Sequence, residues 1–230
     1  MNVSATQMVF LYGEAIPEIL NFQLSIFNST KDWRDIVGQE LERKYRATPE
    51  DLCAIRAAFP GDYTEIHMET TYYDTPDGAL SARRWTLRCR RENDTYVCTL
   101  KTPTADPGVR GEWEMECDDI LAAIPNLAKE ADLPELVRLT ADGVVPTCGA
   151  RFIRLAVPVT MRSGMAELAL DQGVLINGPK ELPFAEVELE LKSGDPEELQ
   201  ELAGTIAGKF RLKTEKKSKF ARARSLGQEE

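Results

Sequence analysis

The sequence predicts an α+β fold in which about eight mostly antiparallel strands close into a β-barrel around a polar interior, with three or four helices packed outside. Three observations carry this. Acidic alternation appears at Glu40-Leu41-Glu42-Arg43-Lys44, at Glu112-Trp113-Glu114-Met115-Glu116 and at Glu186-Val187-Glu188-Leu189-Glu190; a strand sends successive side chains to opposite faces, so each stretch reads as a strand with one charged and one apolar face. Two further stretches place Arg88, Arg90 and Lys101 on the matching face. An open sheet would leave such a face wet, but five strands sharing it favour closure, because about eight tilted strands surround room for one small ligand. Finally, Thr48-Pro49-Glu50-Asp51 and Asp195-Pro196-Glu197-Glu198 have the cap, proline and acids of helix starts, which supply the cover for the apolar faces.

Taken in order, residues 1–38 form an N-terminal extension, read as one or two short helices outside the domain, as an overlong start or as a disordered leader, and the domain proper runs over 39–230. A strand is expected at 39–46, followed by a helix capped by Thr48 whose buried stripe is Leu52, Ile55, Ala58 and Phe59. Residues 65–73 alternate around Ile66 and Met68 and end in the turn sequence Asp74-Thr75-Pro76-Asp77-Gly78. Strands at 85–92 and 95–102 meet at Asn93-Asp94, two residues that tolerate left-handed backbone. Pairing Glu92 with Thr95 sets Arg90 opposite Val97, Arg88 opposite Thr99 and Thr86 opposite Lys101, and makes Cys89 and Cys98 neighbours on the other face. A strand at 110–117 and a helix at 118–133 follow, the helix burying Leu121, Ile124 and Leu127. Strands at 150–160 and 165–171 flank the turn Arg162-Ser163-Gly164. The acidic strand spans 184–192, the next helix buries Leu199, Leu202 and Ile206, and a basic helix covers about 215–225.

Composition narrows the function. The chain has 230 residues, a net charge of -10, a pI near 4.9 and 43% apolar residues, enough for one sizeable core and the wrong charge for a general nucleic-acid binder. Five cysteines make no CxxC pair, and a single histidine, His67, excludes a His-rich zinc site; His67 is read as structural. No apolar run reaches the roughly 18 to 20 residues of a membrane span, and no Lys or Arg precedes Lys31 as in a secretory leader. The expectation is a soluble cytoplasmic protein, monomer or homodimer, with neither nucleic acid nor membrane as partner.

Rows of parallel carboxylates repel one another, so something cationic belongs between them. Acids suit hard divalent cations and bases suit phosphoryl oxygens; a metal-triphosphate complex satisfies both. No GxxxxGK[ST] or GxGxxG loop is present, so side chains rather than a backbone nest must grip the phosphate.

At these residues the sequence resembles the CYTH domain family, also called triphosphate tunnel metalloenzymes. Glu40-Leu41-Glu42-Arg43-Lys44 matches its ExExK signature, and Tyr72-Tyr73-Asp74-Thr75-Pro76, Leu87-Arg88-Cys89-Arg90, Leu100-Lys101, Arg110-Gly111-Glu112-Trp113-Glu114, Asp171, Glu186 to Glu190 and Ser218-Lys219-Phe220 follow in the family's order, over about 39–224. The resemblance implies an eight-stranded antiparallel tunnel holding Mg²⁺ or Mn²⁺ and a triphosphate. Glu40 and Glu42 are then metal ligands with Glu186 and Glu188; Lys44, Arg46, Arg88, Arg90, Lys101, Arg154, Lys217 and Lys219 grip phosphate; Glu112, Glu114, Glu167, Asp171 and Glu190 support them. Lys44 and Glu42 are the catalytic candidates, with Lys44 or a nearby carboxylate taking the proton during in-line hydrolysis of a terminal phosphoanhydride. The implied enzyme is an inorganic triphosphatase. The alternatives are a class IV-type adenylate cyclase, a thiamine triphosphatase and a non-catalytic polyphosphate or nucleotide sensor. Animal thiamine triphosphatases of the family place a Trp directly before Leu-Arg; here Thr86 intervenes and turns Trp85 outward, which disfavours thiamine triphosphate.

Overall fold

The computed structural model describes residues 39–105 and 109–227, so the expectations for 1–38 fall outside the described residues. In chain order the elements are β1 (Gln39–Arg46), α1 (Pro49–Ala58), β2 (Thr64–Asp74), α2 (Ala79–Ala82), β3 (Thr86–Glu92), β4 (Thr95–Pro103), β5 (Val109–Glu116), α3 (Ile120–Glu130), α4 (Glu135–Leu139), β6 (Val145–Thr160), β7 (Met165–Asn177), β8 (Lys180–Ser193), α5 (Pro196–Phe210), β9 (Lys213–Thr214) and α6 (Lys219–Ser225). The strand order β5-β4-β3-β2-β6-β7-β8-β1 closes through antiparallel pairing of β1 with β5. Closure removes the exposed edges that an open sheet would present. The two-residue β9 adds to the end of β1 beside Tyr45 and Arg46.

Local chemistry explains most element ends. Thr48 forms a capping box with Asp51, and Asp195 accepts from the Glu197 N–H. Asn93 adopts φ 53° at the β3–β4 turn, and the register runs as the sequence implies, with Cys89 opposite Cys98. The Asp74-Thr75-Pro76-Asp77-Gly78 turn is a cap as well: Asp74 accepts from the N–H groups of Thr75, Leu80 and Ser81, which secures α2.

The outward faces pack where the alternation sends them. Tyr45, Leu168, Val187 and Leu189 lie under Leu52 and Ile55 of α1 and Leu199, Leu202 and Ile206 of α5. Leu87, Cys98 and Leu100 lie under Ile124 and Leu127 of α3 and Leu136 of α4, with Trp85 in the same cluster. The third cluster sits across one end of the barrel, where Phe220 and Ala223 of α6 meet Tyr72, Cys148, Phe152, Leu175 and Phe184.

Several boundaries differ from expectation. Asp119 caps α3, so the buried stripe is Ile120, Ala123, Ile124, Leu127 and Ala128, and Leu121 stands 55% exposed. The hairpins of β6, β7 and β8 extend to 145–160, 165–177 and 180–193 because their added length packs against α6. The last helix begins at Lys219, where Ser218 accepts from the Ala221 N–H, rather than near 215. His67 is exposed and lies 3.0 Å from Glu65 Oε1, an acidic neighbour two residues away on its own strand face.

Candidate functional site

The same parity that buries the apolar residues outside directs Glu40, Glu42 and Lys44 of β1, Arg110, Glu112 and Glu114 of β5, Arg88 and Arg90 of β3, and Glu188, Glu190 and Lys192 of β8 into the lumen. They surround a cavity of about 280 Å³, the lower end of the size range of ligand sites, about 300 Å³. Eight carboxylates and eight cations line it, so the lining is formally neutral and would not by itself draw in a polyanion.

The charges are arranged in three groups. At the end crossed by α6, the Lys219 ammonium lies 2.6 Å from Glu186, 2.8 Å from Asp171 and 2.8 Å from Glu188. Arg154 forks onto Asp171 with two contacts of 2.8 Å and also bonds Glu188, while Arg222 bonds Glu186. Burial works against the Lys219 charge, but the three carboxylates outweigh it and hold the ammonium well above the usual lysine range. Glu188, likewise buried, is held well below the carboxylate range by Lys219, Arg154 and Lys44.

In the second group Lys101 lies 2.5 Å from Glu40 and 3.0 Å from Glu112, and Arg88 reaches Glu112 at 3.4 Å and Glu114 at 3.2 Å. Burial raises Glu40, yet Lys101 and Arg88 bring it below its usual value. Glu112 goes the other way: burial, with Glu40 and Glu114 nearby, overcomes Lys101 and Arg88 and pushes it up to about 7. A carboxyl raised on folding contributes stability fully below its unfolded value and loses it as pH rises through the folded one. Glu112→Gln is therefore expected to match the wild type near pH 4.5 and to exceed it by about 1–3 kcal/mol at pH 8 in EDTA. Denaturant melts at the two pH values check this, and a difference independent of pH would refute it.

The third group is the least compensated. Glu42 takes a 2.7 Å contact from Lys44, Glu190 takes 2.8 Å from Lys192, and Glu167 lies 4.0 Å from Lys192. The register sets Glu42 opposite Glu190 and Glu190 opposite Glu167, whereas Glu186 faces Arg46 across the ladder.

This geometry redistributes the residues expected from the sequence. Asp171, Glu186 and Glu188 offer oxygens within 4.8 Å of one another, a spacing that suits a cation, but the Lys219 ammonium fills that role. They do not fit a divalent metal as arranged. Glu42, Glu190 and Glu167 face the cavity with weaker neutralisation and are the hard oxygen donors that a divalent cation takes, whereas Glu40 beside them lies 2.5 Å from Lys101. The four ligands expected together therefore separate: Glu186 and Glu188 meet Lys219, Glu40 meets Lys101 and Glu42 meets Lys44. Lys44 does not have the depressed pKa a proton acceptor needs: burial lowers it, but Glu42 and Glu188 raise it further. Arg46 and Lys217 are exposed and outside the cavity lining; Arg46 pairs with Glu215 at 2.5 Å, and the Lys217 backbone donates to the same carboxylate. Arg88, Arg90, Lys101, Arg154 and Lys219 all line the cavity.

Sequence reasoning missed Arg110 and Lys192 in the lumen and Arg222 behind it. The first two were visible, since Arg110 shares parity with Glu112 and Lys192 with Glu190; Arg222 needed the docking of α6. The Nε atoms of Arg88 and Arg110 are buried without a hydrogen-bond partner among the described residues, as expected of guanidinium groups kept for a ligand. Trp85 packs outside with Leu80 and Leu87, while Thr86 lines the lumen.

A closed antiparallel barrel with interleaved carboxylates and cations in its lumen and a helix across one end defines a class of tunnel proteins with a charged, side-chain-lined interior. The chain belongs to the CYTH domain family, whose model matches residues 38–223. It is 29% identical over 198 residues to an inorganic triphosphatase of Haemophilus influenzae, covering 84% of this chain and 56% of that protein; the chain thus spans little more than half the length of that relative. Among solved structures it resembles a candidate adenylyl cyclase from Hippeastrum, described as revealing a dominant triphosphatase activity, with TM-score 0.59 and 23% identity over 81% of this chain and 96% of that one. A candidate adenylate cyclase from Bacillus halodurans gives TM-score 0.54 at 16% identity, covering 79% and 95%. At these identities both show the shared fold. No described helix is long and apolar enough to cross a membrane.

Proposed function

We propose that the protein is a metal-dependent hydrolase that cleaves a phosphoanhydride of inorganic triphosphate inside the tunnel. The observation that carries this reading is the neutral, evenly interleaved lining of the cavity. Such a lining suits an anion that arrives with a divalent cation, because the pair adds both charges that the free rows of cations and carboxylates can each satisfy. Glu42, Glu190 and Glu167, with Glu40 beside them, would hold Mg²⁺ or Mn²⁺. Bound there, the metal supplies Lewis acidity and positive charge against phosphoryl oxygens.

The chain's own residues would do the rest by placement and electrostatics, which dominate phosphoryl transfer. Arg88, Arg90, Lys101 and Arg154 converge on the cavity and orient the phosphates, with the unpartnered Arg88 Nε as a ready donor. Lys44, kept protonated between Glu42 and Glu188, acts as a cation. Glu112, with its proton affinity near neutrality, is suited to accept the proton of attacking water. The small cavity and the outward Trp85 favour inorganic triphosphate over a substrate with a bulky organic group.

Purified protein incubated with Mg²⁺ or Mn²⁺ and either triphosphate or ATP tests the reading. Phosphate and diphosphate from triphosphate are expected. Cyclic AMP and diphosphate from ATP would make it a cyclase, and binding without product would make it a sensor.

A further inference from the structure

Phe152 and Phe184 have no assigned part in the reading above, yet they lie under its cations. The centroid of the Phe152 ring is 5.9 Å from the Arg90 guanidinium carbon, 6.0 Å from that of Arg154 and 5.1 Å from Lys219 Nζ. The Phe184 centroid is 5.4 Å from Lys219 Nζ and 5.4 Å from the Arg222 guanidinium carbon. The two rings meet edge to face, 5.7 Å apart at 65°, and both are buried. All five distances fall within the roughly 6 Å over which a ring face attracts a cation.

We propose that the Phe152 ring, backed by Phe184, is a positioning platform that holds Arg90 at the tunnel wall beside the carboxylate-bound Arg154 and Lys219 while leaving the Arg90 N–H donors available to a polyphosphate. The proposal rests on the triphosphatase reading and adds to it. A carboxylate can also hold a guanidinium, but it occupies the N–H fork and cancels the charge, as Asp171 does to Arg154. A ring face takes up no donor and leaves the charge in place.

Arg90 shows the need most plainly. It is buried, and its polar contacts are Thr70 Oγ1 at 3.2 Å and Glu92 Oε1 at 3.3 Å, both long. Burial and then the nearby charges of Arg88 and Arg154 press its pKa below the usual arginine value. The Phe152 face offsets that crowding. The fold also makes room for the ring: Gly173 faces Phe152 across the β6–β7 ladder, and a Cβ there would come within 2.5 Å of the Phe152 Cα and Cβ.

Plain core packing is the competing role, and fluorination separates the two. Phenylalanine, 4-fluoro-, 3,5-difluoro- and 3,4,5-trifluorophenylalanine placed at position 152 keep the shape while draining the ring face of electrons. The probe is the non-hydrolysable bis-methylene analogue of triphosphate, titrated calorimetrically in Mg²⁺ and again in EDTA, with thermal melts as a check on folding. Expected is a stepwise loss of affinity with each fluorine, reaching roughly tenfold for the trifluoro ring. Phe152→Leu should lose at least as much, and Phe152→Tyr should restore affinity. Equal affinity across the series would reduce Phe152 to packing and overturn this proposal alone. Failure of the unsubstituted protein to bind the analogue in either condition would overturn the triphosphatase reading with it.

Discussion

Lys219→Met should cost about 3–5 kcal/mol of unfolding free energy, the penalty for leaving buried charge without its partner. Asp171 and Glu186 have no exposed side-chain surface, and Lys219 lies within 2.8 Å of both and of Glu188. Arg154 and Arg222 remain, but the buried ammonium and its charge are lost. The cost should shrink as pH falls, because protonation relieves the stranded carboxylates. Mn²⁺ should restore more stability to this variant than to the wild type, since the three carboxylates still lie within 4.8 Å of one another. Urea melts at pH 7.5 and 5.5, with and without Mn²⁺, measure all three effects. A variant within about 0.5 kcal/mol of wild type, the usual surface-substitution range, would show that Lys219 is not the counterion of the cluster.

Glu42→Gln is the second large effect, and it falls on function. The amide keeps the shape of the side chain and removes the charge from a partly exposed group that pairs with Lys44. We expect kcat/KM with triphosphate to fall at least about a hundredfold, which is about 2.7 kcal/mol of transition-state stabilisation. Mn²⁺ affinity should weaken at least about tenfold, with the unfolding midpoint nearly unchanged. Glu186→Gln is the informative control, because the geometry ties Glu186 to Lys219 and Arg222: it should alter stability and leave Mn²⁺ affinity largely intact. Unchanged turnover in Glu42→Gln would remove Glu42 from the metal site; equal loss of Mn²⁺ affinity in both variants would restore the quartet of ligands expected from the sequence.

The fold was legible because period-two alternation does two jobs in a closed barrel. Leu87, Val187 and Leu189 had to face a covering helix, so Arg88, Glu186 and Glu188 had to face inward. The hairpin register followed from the two-residue Asn93-Asp94 turn, since turn length sets pairing. Leu121 was misassigned because Ile124 and Leu127 belong equally to a stripe that continues to Leu121, three residues before Ile124, and to one that continues to Ile120, four before it, and the fold buries the second. The added lengths of β6, β7 and β8 went unread although local breakers bound them, Gly143 before β6 and Gly178 between β7 and β8, both with positive φ.

The lumen itself was legible as a set of residue types but not as a set of partners. The sequence by itself determined which strand faces turn inward, most of the side chains they carry there, and that acids and bases alternate on them. Only the tertiary structure decided that Glu42 meets Glu190, that Glu186 is neutralised by Lys219 and Arg222, and that Arg46 and Lys217 stay outside. The reason is physical: parity along a strand is local, whereas pairing depends on barrel register and on where a distant helix docks, and in a low-dielectric interior those few ångströms decide whether a carboxylate is free for a metal or already spoken for by an ammonium group.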